Sequence, residues 1–479
     1  MKTFLLFKRK AGATDLTTGN PIKRILVFMI PMLIGNVFQQ LYSMVDTIIV
    51  GQALGADALA GVSFTGAMSF LILGFVSGLT HGFSVVVSQR RGARDEEGMK
   101  RSFATGFVLT VAIVAVMTAI ALSIAKPMLV AMKTNPAFLP YSLEYITIIF
   151  GGMLLAALYN LFASTLRAIG DSVVPLYFLI LASFLNAGMD CLTVFVFDMG
   201  VGGAAAATVT ANGISAVLTF IYIWIKYPVL RFKKRHFTPN IKRYIEHVRL
   251  GIPMALQMSI ISIGMIFGQT ALNTMDVVPQ KAYAAATKVD GLANSMLSSV
   301  GAATATYVGQ NYGAKRYDRI KHGVFRFALL TAGASVVLGA LILALHRPLI
   351  MLFISAADRS EELFDCALKY LVFNGGFYIL LSNIYIFRSG LQGMGRGTFA
   401  LFSGATEVVM RVCAALIAIN LHSFTFVCAN NLMSWAGANL FLIPAFLTVL
   451  KKYIPLTQKG MSRMRLPNPS VPIYKREKY

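Results

Sequence analysis

Twelve apolar stretches divide the chain, near residues 25–50, 59–88, 102–124, 138–162, 173–197, 201–226, 247–272, 281–308, 322–345, 366–390, 398–420 and 424–450, each bounded by charge or by Pro and Gly clusters. A bilayer-spanning helix needs about 20 largely apolar residues, and each stretch is long enough. Twelve such helices use roughly 240 residues, leaving two tails and short connections in a chain of 479. No separate soluble domain of ordinary size fits in that remainder. Composition agrees, with 13% charged residues where soluble domains carry about 25%. The expected fold is an all-α membrane protein with twelve transmembrane helices.

The charge balance orients them. Lys plus Arg number 43 against 20 Asp plus Glu, an excess that in a soluble protein would suggest nucleic acid. With both tails cytoplasmic, the cytoplasmic segments hold 35 of the basic residues. The outer side holds seven, Lys126, Lys133, Lys281, Lys288, Arg347, Arg359 and Lys369, and Arg411 lies within a span. This is the positive-inside pattern of short loops, so no nucleic-acid partner is needed. The N-terminal apolar run is too long for a removed signal peptide and lacks its small-residue cleavage site. Cys191, Cys366, Cys413 and Cys428 form no C-x-x-C pair or disulfide framework and read as packing residues. The six histidines make no H-E-x-x-H arrangement and read as solvated at span ends. No phosphate-binding G-x-x-x-x-G-K-[ST] loop occurs, and no nucleophile–base pair or metal triad indicates an enzyme.

The two halves repeat. SQRRGARDEEGMK at 88–100 aligns with GQNYGAKRYDRIK at 309–321 at an offset of 221, so Gln89 meets Gln310 and Gly92 meets Gly313. Pro31 matches Pro253, Gly151 and Gly170 match Gly376 and Gly395 at an offset of 225, and the turns RAIGDS (167–172) and QGMGRG (392–397) correspond. Six spans per half imply two pseudo-symmetric six-helix lobes. The expected organisation is a cytoplasmic tail at 1–24, an N-lobe at 25–226, a cytoplasmic linker at 227–246, a C-lobe at 247–450 and a cytoplasmic tail at 451–479. Parallel repeats place the substrate path between them, with access alternating as one rocks against the other.

Ionisable groups at membrane depth cost about 2.5–3.5 kcal/mol each on insertion scales and are functional candidates by default. Asn36, Gln39, Ser43 and Asp46 recur at steps of three and four along one helical face. Asn186 and Asp190 share a face of the fifth span, and Thr208 and Asn212 share one of the sixth. Carboxylates with amide and hydroxyl oxygens suit a hard cation. Two carboxylates in low dielectric equally make a protonation switch, so sodium and proton both stand. Gln39, Tyr42, Asn160, Gln257, Gln269, Asn273, Asp290, Glu407 and Arg411 are candidates to line the substrate cavity. Glu407 and Arg411, spaced i and i+4, form either a structural pair or, the reading favoured here, a site where Glu407 holds the positive end of a substrate.

These motifs together resemble the multidrug and toxic compound extrusion (MATE) family: Pro31 and SMVDTIIVG in the first span, the Q-x-x-G-A turns, LRAIGDSVVP, NAGMDCLTVF and GVGGAAAATVTANG. The resemblance implies a V-shaped twelve-helix transporter in which Na+ or H+ drives antiport of small organic, mainly cationic, compounds and drugs, with no other cofactor. It places the coupling site on Asp46, Asn186, Asp190 and Thr208, with the Ala204 carbonyl, and a bound Na+ would sit among these residues. The expected setting is a bacterial plasma membrane, with both termini cytoplasmic and the chain a monomer. Some relatives carry an acid eight residues after the proline matching Pro253; here that position is Ile261. The alternative is a flippase for lipid-linked saccharides or peptidoglycan precursors, which needs a cationic cavity for pyrophosphate.

A cysteine engineered into the 226–249 segment should resist a membrane-impermeant thiol reagent applied to intact cells. Efficient labelling from outside would overturn the topology.

Overall fold

The computed structural model describes residues 13–132, 134–354 and 359–463; within these, the side chains at 41, 42, 44–48, 56 and 454–463 lie outside the described residues. The first half consists of α1 (Pro21–Phe64), α2 (Gly66–Gly92), α3 (Glu96–Ala131), α4 (Leu139–Gly151), α5 (Met153–Ile169), α6 (Val173–Asp190) and α7 (Gly200–Lys226). The second consists of α8 (Ile241–Leu272), α9 (Val277–Gly313), α10 (Tyr317–Ala344), α11 (His346–Met351), α12 (Glu361–Gly375), α13 (Tyr378–Gly393), α14 (Gly397–Asn420) and α15 (Phe424–Arg463). Among the described residues, ten helical stretches are long and apolar enough to cross a bilayer, and the bent pair α4–α5 makes an eleventh. α9, whose 37 residues span about 55 Å at 1.5 Å per residue, is long enough for a twelfth crossing but less apolar than these.

Local chemistry explains the boundaries. Asn20 and Asn240 cap α1 and α8 in the same way, each side chain accepting from a backbone N–H three residues on. Pro31 and Pro253 lie inside these helices, where each removes one backbone hydrogen bond. The fourth span is two helices bent by 49° at Gly151–Gly152. At the repeat-matched place, α12 ends and α13 begins across Gly376 and Phe377. The single span at 138–162 is thus corrected to a broken one, because the paired glycines weaken the helix there, whereas 361–393 passes as one span in spite of its interruption. The turns at 170 and 395 also match, with Gly170 at φ 102° and Gly395 at φ 79°, a left-handed conformation that favours glycine.

In the connection between the halves α7 ends at Lys226 and α8 starts at Ile241. This connection is docked. The Phe232 ring packs against Phe103, Phe107 and Phe220, and buried His236 meets Glu97 at 3.1 Å. Burial pushes the His236 pKa below the ordinary histidine value in spite of Glu97, and its Nδ1 accepts from the Lys233 N–H at 2.7 Å. His247 is buried too, bridging the carbonyls of Arg243 and Ser102. Solvation at span ends therefore does not describe these two histidines. Of the cysteines only Cys428 is buried, while Cys191 and Cys413 are exposed, so the packing role is corrected for those two.

The halves meet along two seams related by the repeat. In one, α2 lies on α8 so closely that a Cβ at Gly78 would stand 2.5 Å from the Met254 carbonyl oxygen, and one at Gly82 would stand 2.5 Å from the Gly251 Cα. This is the small-xxx-small packing of membrane helices. In the other, α1 lies on α9 through polar groups, Asn36 Nδ2 donating to the Ser295 carbonyl and to the Ser298 and Ser299 hydroxyls at 2.9–3.1 Å. Both seams converge at the end that carries the basic turns. There Gln89 donates to the Gly393 carbonyl at 2.8 Å and Gln310 to the Ala168 carbonyl at 3.0 Å, two bonds exchanged by the pseudo-twofold. Gln40 reaches the Gly291 carbonyl at 3.4 Å, and Gln39 and Ser43 on α1 and Gln269 and Asn273 on α8 are exposed. The repeat-matched contacts hold the two halves together at the basic end.

A Cβ at Gly92 would lie 1.8 Å from the Gln310 carbonyl oxygen, whereas one at Gly333 meets nothing within 4 Å. Gly92→Ala should destabilise the protein by about 1–3 kcal/mol, read as a lowered melting temperature in detergent, with Gly333→Ala neutral or slightly stabilising.

Candidate functional site

The polar cluster of the first half stands where α6 and α7 face each other. Asn186 and Asp190 are one turn apart on α6, and both are buried, at 1% and 0% exposure. Asn186 Nδ2 donates to Asp190 Oδ2 at 2.8 Å, and Thr208 Oγ1 reaches Asn186 Oδ1 at 3.4 Å. The small residues of α7 make this approach possible. A Cβ at Gly203 would lie 2.9 Å from Met199 Cβ and 3.0 Å from Thr193 Cβ, and Ala204 is fully buried. Immediately after Asp190 the helix widens into a π-helical turn, Cys191–Val196, a distortion that recurs at functional sites.

Val50 of α1 packs with Val194 and Ala204. The Asp46 and Tyr42 side chains lie outside the described residues. Asp190, Asn186 and Thr208 offer a carboxylate, an amide oxygen and a hydroxyl, the oxygen donors that a hard monovalent cation or a proton takes. Asn212, on the same face of α7, hydrogen-bonds back to the Thr208 carbonyl.

The second half holds a different arrangement. Its buried charged residues among those described are Asp290, Arg388, Glu407 and Arg411, two of each sign. Asp290 accepts from Tyr378 at 2.8 Å and from Tyr370 at 3.4 Å. The Tyr370 hydroxyl accepts from Asn431 Nδ2 at 3.3 Å, and Asn431 Oδ1 accepts from Arg411 Nη1 at 2.6 Å. Arg411 and Asp290 are therefore joined through an amide and a phenol rather than directly.

This corrects the i, i+4 pairing of Glu407 with Arg411. Glu407 on α14 pairs with Arg388 of α13, and Arg411 turns to Asn430 and Asn431 of α15. Arg388 is buried, with Ser403 as its second acceptor at 3.0 Å, and an uncompensated buried charge is costly. Glu407 thus supplies the direct counter-charge of Arg388, while Arg411 is held by the amides of α15. Arg388 also falls inside a helix rather than in the basic turn to which a count by segment assigns it. Gln257 is tied to Gln392 at 3.1 Å, Gln269 to Asn273 at 2.9 Å, and Asn160 is half-buried on α5. The polar candidates thus fall into separate clusters, one in each half, with Gln39, Gln269 and Asn273 exposed. Sequence reasoning missed Arg388, Tyr370, Tyr378, Asn430 and Asn431; the adjacent amides Asn430–Asn431 inside an apolar run were the available signal.

Comparison with known proteins gives a consistent result. The MatE family model matches residues 31–192 and 253–417, one segment in each half. The chain is 29% identical over 350 residues to the "Probable multidrug resistance protein YpnP" of Bacillus subtilis (strain 168), covering 72% of this chain and 77% of that protein. In fold it matches a crystal structure of MATE in complex with MaL6, with a TM-score of 0.86, 22% identity and coverage of 93% and 99%. It also matches an outward-facing multidrug resistance MATE family transporter of the MOP superfamily, with a TM-score of 0.85, 22% identity and the same coverage.

Glu407→Gln leaves Arg388 as a buried charge without its carboxylate and should cost about 3–5 kcal/mol, measured as a fall in melting temperature. Combining Arg388→Met with Glu407→Leu should recover most of the loss. An unchanged melting temperature in Glu407→Gln would show that the pair is not structural.

Proposed function

The chain belongs to the MatE family, whose members are multi-pass membrane transporters and not enzymes, and on that premise we propose that it exports small organic, mainly cationic, compounds and drugs by antiport against Na+ or H+. The observation that carries this reading is the buried Asn186–Asp190–Thr208 cluster. The similarity to the Bacillus subtilis multidrug resistance relative supports the substrate class.

In this reading Asp190, with Asp46 and the Ala204 carbonyl, binds the coupling ion. An ion drives a conformational change only through unequal affinity for two states, and a carboxylate among neutral oxygens provides it. With a proton or Na+ bound, the local charge is lowered and α6, α7 and α1 can pack more tightly. With the ion released, two acids in low dielectric repel. The lobes then rock about the α1–α9 and α2–α8 seams. Exposed Gln39, Gln269 and Asn273 contact substrate in the cleft, and Asp290 and Arg411 set the polarity of its second wall. The basic end faces the cytoplasm with both termini and the linker, the membrane is the plasma membrane, and a monomer suffices.

The test is efflux of a fluorescent organic cation from proteoliposomes, with sodium and proton gradients imposed separately. One gradient should drive efflux. Asp190→Asn and Asp46→Asn should each reduce the driven rate at least about tenfold, the factor carried by ~1.4 kcal/mol, without lowering the melting temperature. Asn186→Ala and Thr208→Ala should be weaker. Efflux at the parental rate in well-folded Asp190→Asn would remove the site from the mechanism.

A further inference from the structure

We propose that residues 13–18 form a strap across the basic end of the cleft, a latch that holds the two halves together and must leave its seat before that end opens. This rests on the alternating-access reading above.

Leu16 is fully buried although it precedes α1 in a stretch without helix, and it packs in a cluster with Tyr307 and Ile320 of the second half. Its N–H donates to Gln310 Oε1 at 3.1 Å, and its carbonyl accepts from Asn311 Nδ2 at 3.2 Å and from Arg319 Nη2 at 3.3 Å. Arg316 donates to the Thr17 carbonyl at 2.8 Å and Arg319 to the Thr18 carbonyl at 3.0 Å. Toward the first half, the Thr14 N–H donates to the Gly170 carbonyl at 2.9 Å. The strap thus touches both sides of the seam within five residues.

Its seat is shaped for it. A Cβ at Gly170 would lie 2.1 Å from the Thr14 carbonyl oxygen. Asp15 accepts from the Thr17 N–H at 2.8 Å and the Thr17 hydroxyl at 2.5 Å, folding the strap on itself, and it borders a cavity shared with Arg91 and Arg94. Burial raises the Asp15 pKa, but the Thr17 hydrogen bonds and the two arginines outweigh it and hold the group below the ordinary carboxylate value. The strap therefore carries a negative charge against a basic wall.

The pseudo-twofold makes the asymmetry informative. Gln310 and Gln89 make equivalent bonds across the seam, yet the segment before α8 is the linker, lying on α3 through Glu97 and His236 and covalently tied to both halves. Only on the Gln310 side does a segment before a first helix insert between the lobes. Gly19, at φ 73°, is the hinge at which it meets α1.

The experiment uses the full chain with its four native cysteines replaced and a reporter cysteine at Ser299, which is fully buried in the α1–α9 seam. The readout is the rate at which a membrane-impermeant maleimide, applied from the basic end, labels it. Leu16→Asp should raise that rate on the order of tenfold, the equilibrium shift expected from losing one buried leucine, and Leu16→Met should leave it unchanged. A second variant with cysteines at Thr17 and Arg316, joined by a short bis-thiol reagent, should label more slowly than before joining. The proposal fails if Leu16→Asp labels at the parental rate, or if the joined protein opens as readily as the unjoined one. If Leu16→Asp does not fold, the joined variant decides. Labelling needs neither substrate nor coupling ion, so failure of the latch and failure of the antiport reading are distinguishable.

Discussion

The architecture depends on how closely two helix ends approach at the basic face. Gly92 and Gly313 are repeat-matched, and each sits where an added Cβ would fall 1.8 Å from the carbonyl oxygen of the other half's matching glutamine, Gln310 or Gln89. Only glycine allows backbones this near. Because the glycines set the separation, the side chains of Gln89 and Gln310 reach carbonyls across the seam, and the small residues of α2 and α8 meet above them. The two halves thus share a closed floor.

The walls solve the same physical problem in opposite ways. A buried charge in a membrane protein must be paired, neutralised or solvated by fixed dipoles. The second half balances its buried acids and bases, Glu407 directly on Arg388 and Asp290 through Tyr370 and Asn431 to Arg411. The first half surrounds Asp190 with an amide and, at one remove, a hydroxyl. The buried charges of the second half are thus matched among themselves, through one direct ion pair and one chain of hydrogen bonds.

Much of this was legible in the sequence, and the unequal legibility has a physical cause. The repeat at an offset of 221 located the equivalent turns, and their contacts across the seam obey it, because backbone-determined features such as glycine turns survive divergence in side chains. The i, i+4 spacing of Asn186 and Asp190 stated their contact outright, since a helix places those positions on one face. Contacts between helices carry no such spacing. Glu407 has Arg411 at the helical interval yet pairs with Arg388, nineteen residues back in sequence, because packing of α13 on α14 decides which guanidinium needs the charge. The broken fourth span escaped a hydropathy reading for a related reason, since a bend leaves the apolar content of the run unchanged.

One helix carries a consequence for how the protein is made. The 37 residues of α9 include Lys288 and Asp290 and fall short of the apolarity that lets a helix cross a bilayer unaided, and each such residue near a helix centre costs about 2.5–3.5 kcal/mol on insertion. In the folded protein α9 is sheltered by α1, α2, α12 and α13, and Asp290 is satisfied only by tyrosines on α12 and α13, which emerge from the ribosome later. Stable burial of this segment therefore depends on contacts that later spans of the chain supply. Assembly of the second half is thereby cooperative across at least three spans, and a truncation that stops before Tyr370 would strand an acidic helix in lipid.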